Sequence, residues 1–295
     1  MILVVGANGS LGGQIAWALQ QRGDGVRLLL RHGGFHPLQH MPGVEIAPGD
    51  LRDAESLRRA CQGIQAVVTT ASVSKTGGDS IENVDLAGNL NLIAAAEAAA
   101  VQHFVFTSTL SASEQSPVPL FRVKAEVERA LRGSRMAHTI LQPNAFMDVW
   151  FEMLIERPLA AGGPVTLVGD SRRRHAFIAQ RDIVQFVLAA LWSPAARNAT
   201  LVLGGPAAVT LREVVHAYEL AGGRPIDVQN VPPGSPIPGV PEPVWPLVAA
   251  LETFDSPVPM DAMNRIYGVE LTSIASFAHL RQSYFARSSS IIPSQ

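Results

Sequence analysis

The sequence predicts a doubly wound α/β fold, a parallel sheet covered by helices on both faces. Three observations carry that expectation. Short, unbroken apolar runs alternate with helical stretches through the first half of the chain, and strands buried on both faces read as continuous rather than alternating apolar segments. The first of these runs opens through closely spaced glycines into a helix. The chain is also long and apolar enough for a large core, with 295 residues, 47% of them hydrophobic and only 16% charged.

The elements follow in order. Ile2 to Val5 is a short strand, and Gly6-Ala7-Asn8-Gly9-Ser10-Leu11-Gly12 leads into a helix with Ile15 and Leu19 on its apolar face, ending near Arg22-Gly23. Val26 to Leu30 is the second strand and Val44 to Ala47 the third, followed by the turn Gly49-Asp50. A helix from Ala54 to about Cys61 and a strand from Ala66 to Thr70 come next. Asn83 to Ala100 predicts one long helix, and Phe104 to Thr107 another buried strand. Beyond these, Thr139 to Leu141 and Val165 to Val168 read as strands, and Asp182 to Trp192 and Leu211 to Ala221 as helices. From Gly222 to Pro259 proline is dense, which denies backbone donors and favours loops, with one helix expected between Val244 and Phe254.

Composition excludes several classes of function. The hydrophobic excess rules out a disordered chain. With 23 basic against 25 acidic residues, the formal charge of −2 offers nothing to neutralise a phosphate backbone, so no nucleic-acid partner is expected. One cysteine, Cys61, allows no internal disulfide. No apolar run approaches the ~20 residues of a membrane span, and Met1 leads straight into an apolar strand; a soluble, cytoplasmic protein with a small-molecule substrate is expected. Only two of the 23 basic residues are lysines, Lys75 and Lys124. A lysine surviving in so arginine-rich a chain suggests a need for a compact, tunable ammonium.

The glycine spacing has a mechanical reading. Gly6 permits a tight turn, Gly9 lets backbone approach a pyrophosphate, and Gly12 packs helix against strand. The helix start then presents N–H donors and the positive end of its dipole to phosphates. A strand–turn–helix at the head of an alternating chain is the context that gives this pattern meaning. At the end of the second strand, where an acid would bind the ribose hydroxyls of NAD, stands Arg31, suited to the 2′-phosphate of NADP. NADP(H) is therefore expected ahead of NAD(H).

The ordered motifs resemble a known family. Gly6 to Gly12, Leu30-Arg31, Gly49-Asp50-Leu51, Asn83-Val84-Asp85, Phe104 to Thr109, Lys124 to Glu128, Thr139 to Met147, Phe177-Ile178 and Arg181-Asp182-Ile183 look like the NmrA-like group of atypical short-chain dehydrogenase/reductases. The resemblance runs from residue 2 to about 190, with a weaker echo at Thr210-Leu211-Arg212-Glu213. It implies a Rossmann domain over residues 1–150. A smaller C-terminal substrate-binding region would fill 151–295, with about 175–192 returning to the Rossmann domain. It further implies cofactor contacts from Gly6, Asn8, Gly9, Ser10, Leu11 and Gly12. Arg31, Asp50, Leu51, Thr70, Ala71, Ser72, Lys124, Pro143 and Asn144 would add to them, with Ser108 and Thr109 facing the nicotinamide.

One part of the wider superfamily's machinery is missing. A tyrosine four residues before the lysine normally passes the proton, but Leu120 stands there, and the tyrosines are Tyr218, Tyr267 and Tyr284. Catalysis would then rest on Lys124, Ser108 and Thr109. The plain structural alternative for Lys124 is a helix-surface pair with Glu128 at i,i+4. Asn144 and Phe146 are candidate substrate contacts, and some of Met147, Trp150, Phe151 and Met153 could be ordinary core. Arg172-Arg173-Arg174-His175 reads as a solvated basic loop in preference to an anion site, and no pair among His103, His138 and His175, which lie at or near strand edges, has the i,i+4 helical spacing of a zinc site. Three functional readings remain: an NADPH-dependent reductase of a quinone, enone, dye or carbonyl; a redox sensor binding NADP(H) without turnover; and a scaffold retaining the dinucleotide as a structural element. The first is preferred.

Overall fold

A computed structural model describes residues 1–73 and 78–289, from residue 283 on as backbone only. Lys75 and residues 290–295 of the C-terminal tail lie outside the described residues. In chain order the elements are β1 (Ile2–Val5), α1 (Ser10–Gln21), β2 (Val26–Leu30), β3 (Val44–Pro48), α2 (Ala54–Ala60), β4 (Ala66–Thr69), α3 (Ala87–Ala98), β5 (His103–Thr107), α4 (Pro119–Arg132) and β6 (Ala137–Pro143). They continue as α5 (Met147–Phe151), α6 (Arg157–Ala160), β7 (Val165–Val168), α7 (Gln180–Trp192), β8 (Ala199–Leu203), α8 (Leu211–Gly222), β9 (Val228–Val231), α9 (Trp245–Ala250), α10 (Asp261–Tyr267) and α11 (Ile274–Ser289).

Seven strands form one parallel sheet in the order β3-β2-β1-β4-β5-β6-β8. The reversal of strand order falls between β1 and β4, the switch point at which ligands of such sheets bind. The chain divides into two compact units. One takes Met1–Pro143, Ile183–Leu203 and Met263–Val269; the other takes Asn144–Asp182, Gly204–Ala262 and Glu270–Gln295. The first boundary thus falls at the end of β6 rather than near residue 150, and the chain re-enters the sheet unit at Ile183, within α7, rather than near residue 175.

In the sheet unit, Leu3, Val5, Val67, Phe104, Phe106 and Ile140 on one sheet face bury against Leu57, Leu92, Val127 and Leu131 of α2, α3 and α4. These are fully or almost fully covered side chains, each contributing ~1.5–3 kcal/mol by removal from water. The second unit carries the two-stranded parallel sheet β7-β9 and a core around Phe151, Phe177, Tyr218 and Phe277, with the Phe177, Tyr218 and Phe277 rings edge-on to Phe151. Met147, Phe151 and Met153 belong to that core. Ile237, Val240 and Val248 of the proline-rich segment pack into it as well, so that stretch is part of the unit's fold.

Two differences from the sequence reading have clear causes. The expected helix from Asn83 to Ala100 begins as a wider π-turn over Ile81–Leu86, capped by the reciprocal Ser80–Asn83 pair, before α3 continues it. The amide of Asn89 donates to the carbonyls of Val84 and Asp85 at that wider turn. The basic run is exposed over Arg172, Arg173 and Arg174, as the sequence reading has it, but it is also tied down. Arg173 and Arg174 bind Asp255, Arg174 also binds Glu213, and His175 hydrogen-bonds Ser256 and the Leu251 carbonyl.

Candidate functional site

The turn from β1 into α1 forms the floor of a cavity of about 440 Å³ within the sheet unit. Gly6 adopts φ +87°, a left-handed conformation in which a side chain would be strained, and its carbonyl accepts from Gly9 N at 2.9 Å. A Cβ on Gly12 would lie 2.2 Å from Gly6 O and 2.7 Å from Thr70 Oγ1, so glycine alone lets α1 sit this close to β1 and β4. The α1 N-cap, Gly9, offers no side-chain cap, and no acid occupies the first turn. The backbone donors and dipole of that turn are therefore presented to an anion without a carboxylate competing. This cradle of close-packed glycines and backbone donors fits a pyrophosphate.

Gly6, Asn8, Gly9, Arg31, Asp50, Leu51, Thr70, Ala71 and Ser72 all line the cavity, together with Ala7, Asp79 and Val84. Ser10, Leu11 and Gly12 stand behind the lining, in the first turn of α1. Leu51 packs against Gly88 of α3, where any Cβ would come within 2.8 Å of it.

The far wall is charged. Arg31 Nη2 donates to both carboxylate oxygens of Asp79, and Arg31 Nε lies 3.4 Å from Asp50. Arg52 grips Asp50 through Nε and Nη2 at 2.9 and 2.7 Å. The Arg52 hydrogen bond holds the Asp50 carboxyl below its ordinary pKa, with Arg31 adding to the effect. Neither Arg52 nor Asp79 was marked by sequence reasoning; Asp79 sits in a short glycine–aspartate–serine stretch with no periodic element to flag it.

Lys124 is buried on α4, with 6% of its surface exposed. Its ammonium pairs with Asp85 Oδ1 at 3.2 Å and lies 5.1 Å from the Phe106 ring centroid. Burial pushes its pKa down and Asp85 pulls it back. Asp85, delivered by the π-turn, also accepts from Ser72 Oγ at 2.7 Å and Val73 N at 2.8 Å. Lys124 is thus joined to the cavity wall through Asp85 and Ser72. The Lys124–Glu128 surface pair is replaced by this arrangement. The missed residue, Asp85, lay within the Asn83-Val84-Asp85 motif, which was the available signal.

Glu128 is engaged elsewhere. It accepts from Ser108 Oγ at 2.5 Å, from Gln142 Nε2 through both carboxylate oxygens, and from Arg132. Ser108, buried at the end of β5, therefore spends its hydroxyl proton on a carboxylate held by two further donors. That makes it an acceptor toward any ligand and a poor acid. Thr109 follows it, half-buried. The Pro143 carbonyl accepts from Leu110 N at 3.0 Å, bracing this strand end.

In the second unit, Asn144 donates to the backbone and hydroxyl oxygens of Ser256 at 2.9 and 3.1 Å, while its own oxygen accepts from Ala145 N. Its amide is committed to bracing the chain. Phe146 is half-buried beside Ile178. Tyr218 donates to Glu156 within that unit's core, and Tyr267 donates to the Ala195 carbonyl in the sheet unit. Among the described residues no helix is long and apolar enough to cross a membrane, and no cluster of metal-ligating side chains occurs.

Comparison with known proteins agrees with the geometry. A photosystem II assembly factor of Trieres chinensis is 30% identical over 234 residues, 78% of this chain and 72% of its own length. The NAD(P)H azoreductase of Xenophilus azovorans is 30% identical over 226 residues, 77% of this chain and 75% of its own. A crystal structure of an Escherichia coli NADPH-dependent quinone oxidoreductase complexed with NADPH superposes with a TM-score of 0.75. It shares 21% identity and covers 95% of this chain and all of its own, a likeness of fold. Residues 1–274 match the NmrA-like family as a whole, and with the glycine cradle, the switch-point cavity and the seven-stranded parallel sheet they make this chain a member of the NmrA-like family.

Proposed function

We propose that the protein is an NADPH-dependent oxidoreductase that delivers hydride to a small apolar or aromatic acceptor: a quinone, an enone, a dye or a carbonyl compound. The observation that carries this reading is the cavity at the glycine cradle, with close-packed glycines in its floor and Arg31 on its wall. The 30% identity to an NAD(P)H azoreductase supports it. When bound, the reduced nicotinamide supplies the hydride.

The chain's own residues have distinct tasks. The first turn of α1 holds the pyrophosphate, Arg31 the 2′-phosphate, and Asp50 and Leu51 the adenosine end. Thr70, Ala71 and Ser72 flank the ribose. Lys124, oriented by Asp85, favours negative charge developing on the acceptor. With Leu120 in place of the tyrosine and the Ser108 proton given to Glu128, the proton comes from water, with Thr109 as a further hydroxyl just past this strand end. An acceptor whose reduced form is a stabilised anion needs no strong general acid. Phe146 is the proposed apolar contact with the acceptor. Neither a nucleic acid nor a membrane enters this reading, and the compartment proposed is the cytoplasm.

A second reading, a non-catalytic NADP(H) sensor, is favoured by one observation: Tyr218 and Tyr267 are hydrogen-bonded elsewhere and do not line the cavity. One experiment separates the two. Purified protein is mixed with NADPH or NADH and a panel of quinones, enones, azo and triphenylmethane dyes and aldehydes, and cofactor oxidation is followed by absorbance. Turnover, faster with NADPH, is expected; tight NADPH binding without turnover across the panel would establish the sensor.

A further inference from the structure

The charged wall of the cavity joins two acids and two bases in a ring. Arg31 Nη2 lies 2.8 and 2.7 Å from the two oxygens of Asp79, and Arg31 Nε lies 3.4 Å from Asp50. Arg52 Nη2 lies 2.7 Å from Asp50, and Arg52 Nη1 lies 3.7 Å from Asp79. The Asp79 side chain is fully covered, whereas that of Arg31 is 44% exposed. Formal charge around the ring sums to zero. A guanidinium placed for a phosphate thus already holds a carboxylate.

We propose that Asp79 sets the cofactor selectivity of this site by competing with the 2′-phosphate for Arg31. The inference rests on the assignment of Arg31 to that phosphate. A phosphate dianion reaching Arg31 must either displace Asp79 from Nη2 or bind beside two carboxylates, and each route weakens NADPH. A cofactor with a 2′-hydroxyl meets no such repulsion and finds carboxylate acceptors in the same ring. Asp50 cannot play the same part as readily, because Arg52 holds it through two hydrogen bonds. Asp79 thereby narrows the gap between NADPH and NADH and keeps both usable.

The test is calorimetric titration of the full chain and its Asp79→Asn and Asp79→Ser variants. The ligands are NADPH, NADH, adenosine 2′,5′-bisphosphate and AMP, and unfolding midpoints check that each variant is folded. In either folded variant the Kd ratio of NADH to NADPH should rise about tenfold, with the bisphosphate tightening in parallel against AMP. In an Arg31→Ala background the same substitutions should leave the ratio unmoved. If Arg31→Ala alone weakens NADPH no more than NADH, the assignment of Arg31 is wrong and the Asp79 proposal falls with it. If Arg31→Ala discriminates between the cofactors but the Asp79 variants leave the ratio unchanged or lower it, the Asp79 proposal alone is overturned.

Discussion

The ion pair between Lys124 and Asp85 can be weighed by a double-mutant cycle. Opposite unit charges 3.2 Å apart attract by roughly 5 kcal/mol at an effective dielectric of ~20. Removing one partner strands the other in a covered site. Breaking a buried pair costs ~3–5 kcal/mol; Lys124→Met leaves Asp85 with its Ser72 and Val73 donors, which offset part of that, so the expected loss is at the lower end, about 3 kcal/mol. Asp85→Asn leaves a buried ammonium with a weaker acceptor and should cost about the same. Removing both charges leaves no stranded ion, so the double variant should be less destabilised than the sum of the singles, with a coupling energy of about 2–4 kcal/mol. Denaturant unfolding of the four proteins at neutral pH, followed by tryptophan emission, measures it. A coupling below about 0.5 kcal/mol would refute the pair. Its pH dependence has a definite sign. The folded Lys124 pKa lies below the ordinary 10.5, so the unfolded chain binds more protons in that window and stability rises as pH approaches 10.5. Turnover is a separate readout. Lys124→Met should lower it at least about tenfold, a loss of ~1.4 kcal/mol of transition-state stabilisation; unchanged turnover with intact coupling would leave the lysine a structural part.

Three further outcomes are expected. Gly12→Ala drives a Cβ to 2.2 Å from the Gly6 carbonyl and should loosen the cradle by ~2 kcal/mol, read as weaker NADPH binding and a lower melting temperature; an unchanged Kd would deny the cradle its role. Burial lowers the His103 pKa from 6.5 to about 4, so the unfolded chain takes up the proton first. Stability should therefore fall by up to about 3 kcal/mol as pH drops from 6.5 towards 4, and His103→Gln should flatten that slope in urea titrations. The Cys61 thiol, fully covered and pushed up to about 11, should resist a disulfide reagent at neutral pH until the protein unfolds; rapid labelling of native protein would contradict its burial.

The sheet and its glycine cradle were legible because local signals agree there: unbroken apolar runs, turn glycines and helix periodicity all point one way. The charged wall was legible only in part. Arg31 and Asp50 end recognisable elements, but Asp79 and Arg52 act through pairings that the chain reveals only when folded. Glu128 shows the limit of spacing rules. It stands at i,i+4 from Lys124, yet both side chains turn inward from α4, where Asp85 takes the lysine and Ser108, Gln142 and Arg132 take the glutamate. Strand β8 and helices α10 and α11 went unread because they are short or weakly periodic, and packing rather than propensity forms them.

The last helix matters more than its place beyond the family-wide match suggests. Glu156, 3% exposed, accepts from the Tyr218 hydroxyl and is gripped by Arg281 of α11, while Phe277 and Ala278 of the same helix close the second unit's core. A chain cut after residue 274, where the shared family segment ends, would lose that guanidinium and those apolar side chains together. A carboxylate would be left in an opened interior with a single neutral donor. Such a shortened protein would retain every residue of the nucleotide cradle and yet be sensitive to proteases in its other half, so a tag or fusion partner is better joined ahead of Met1 than in place of α11.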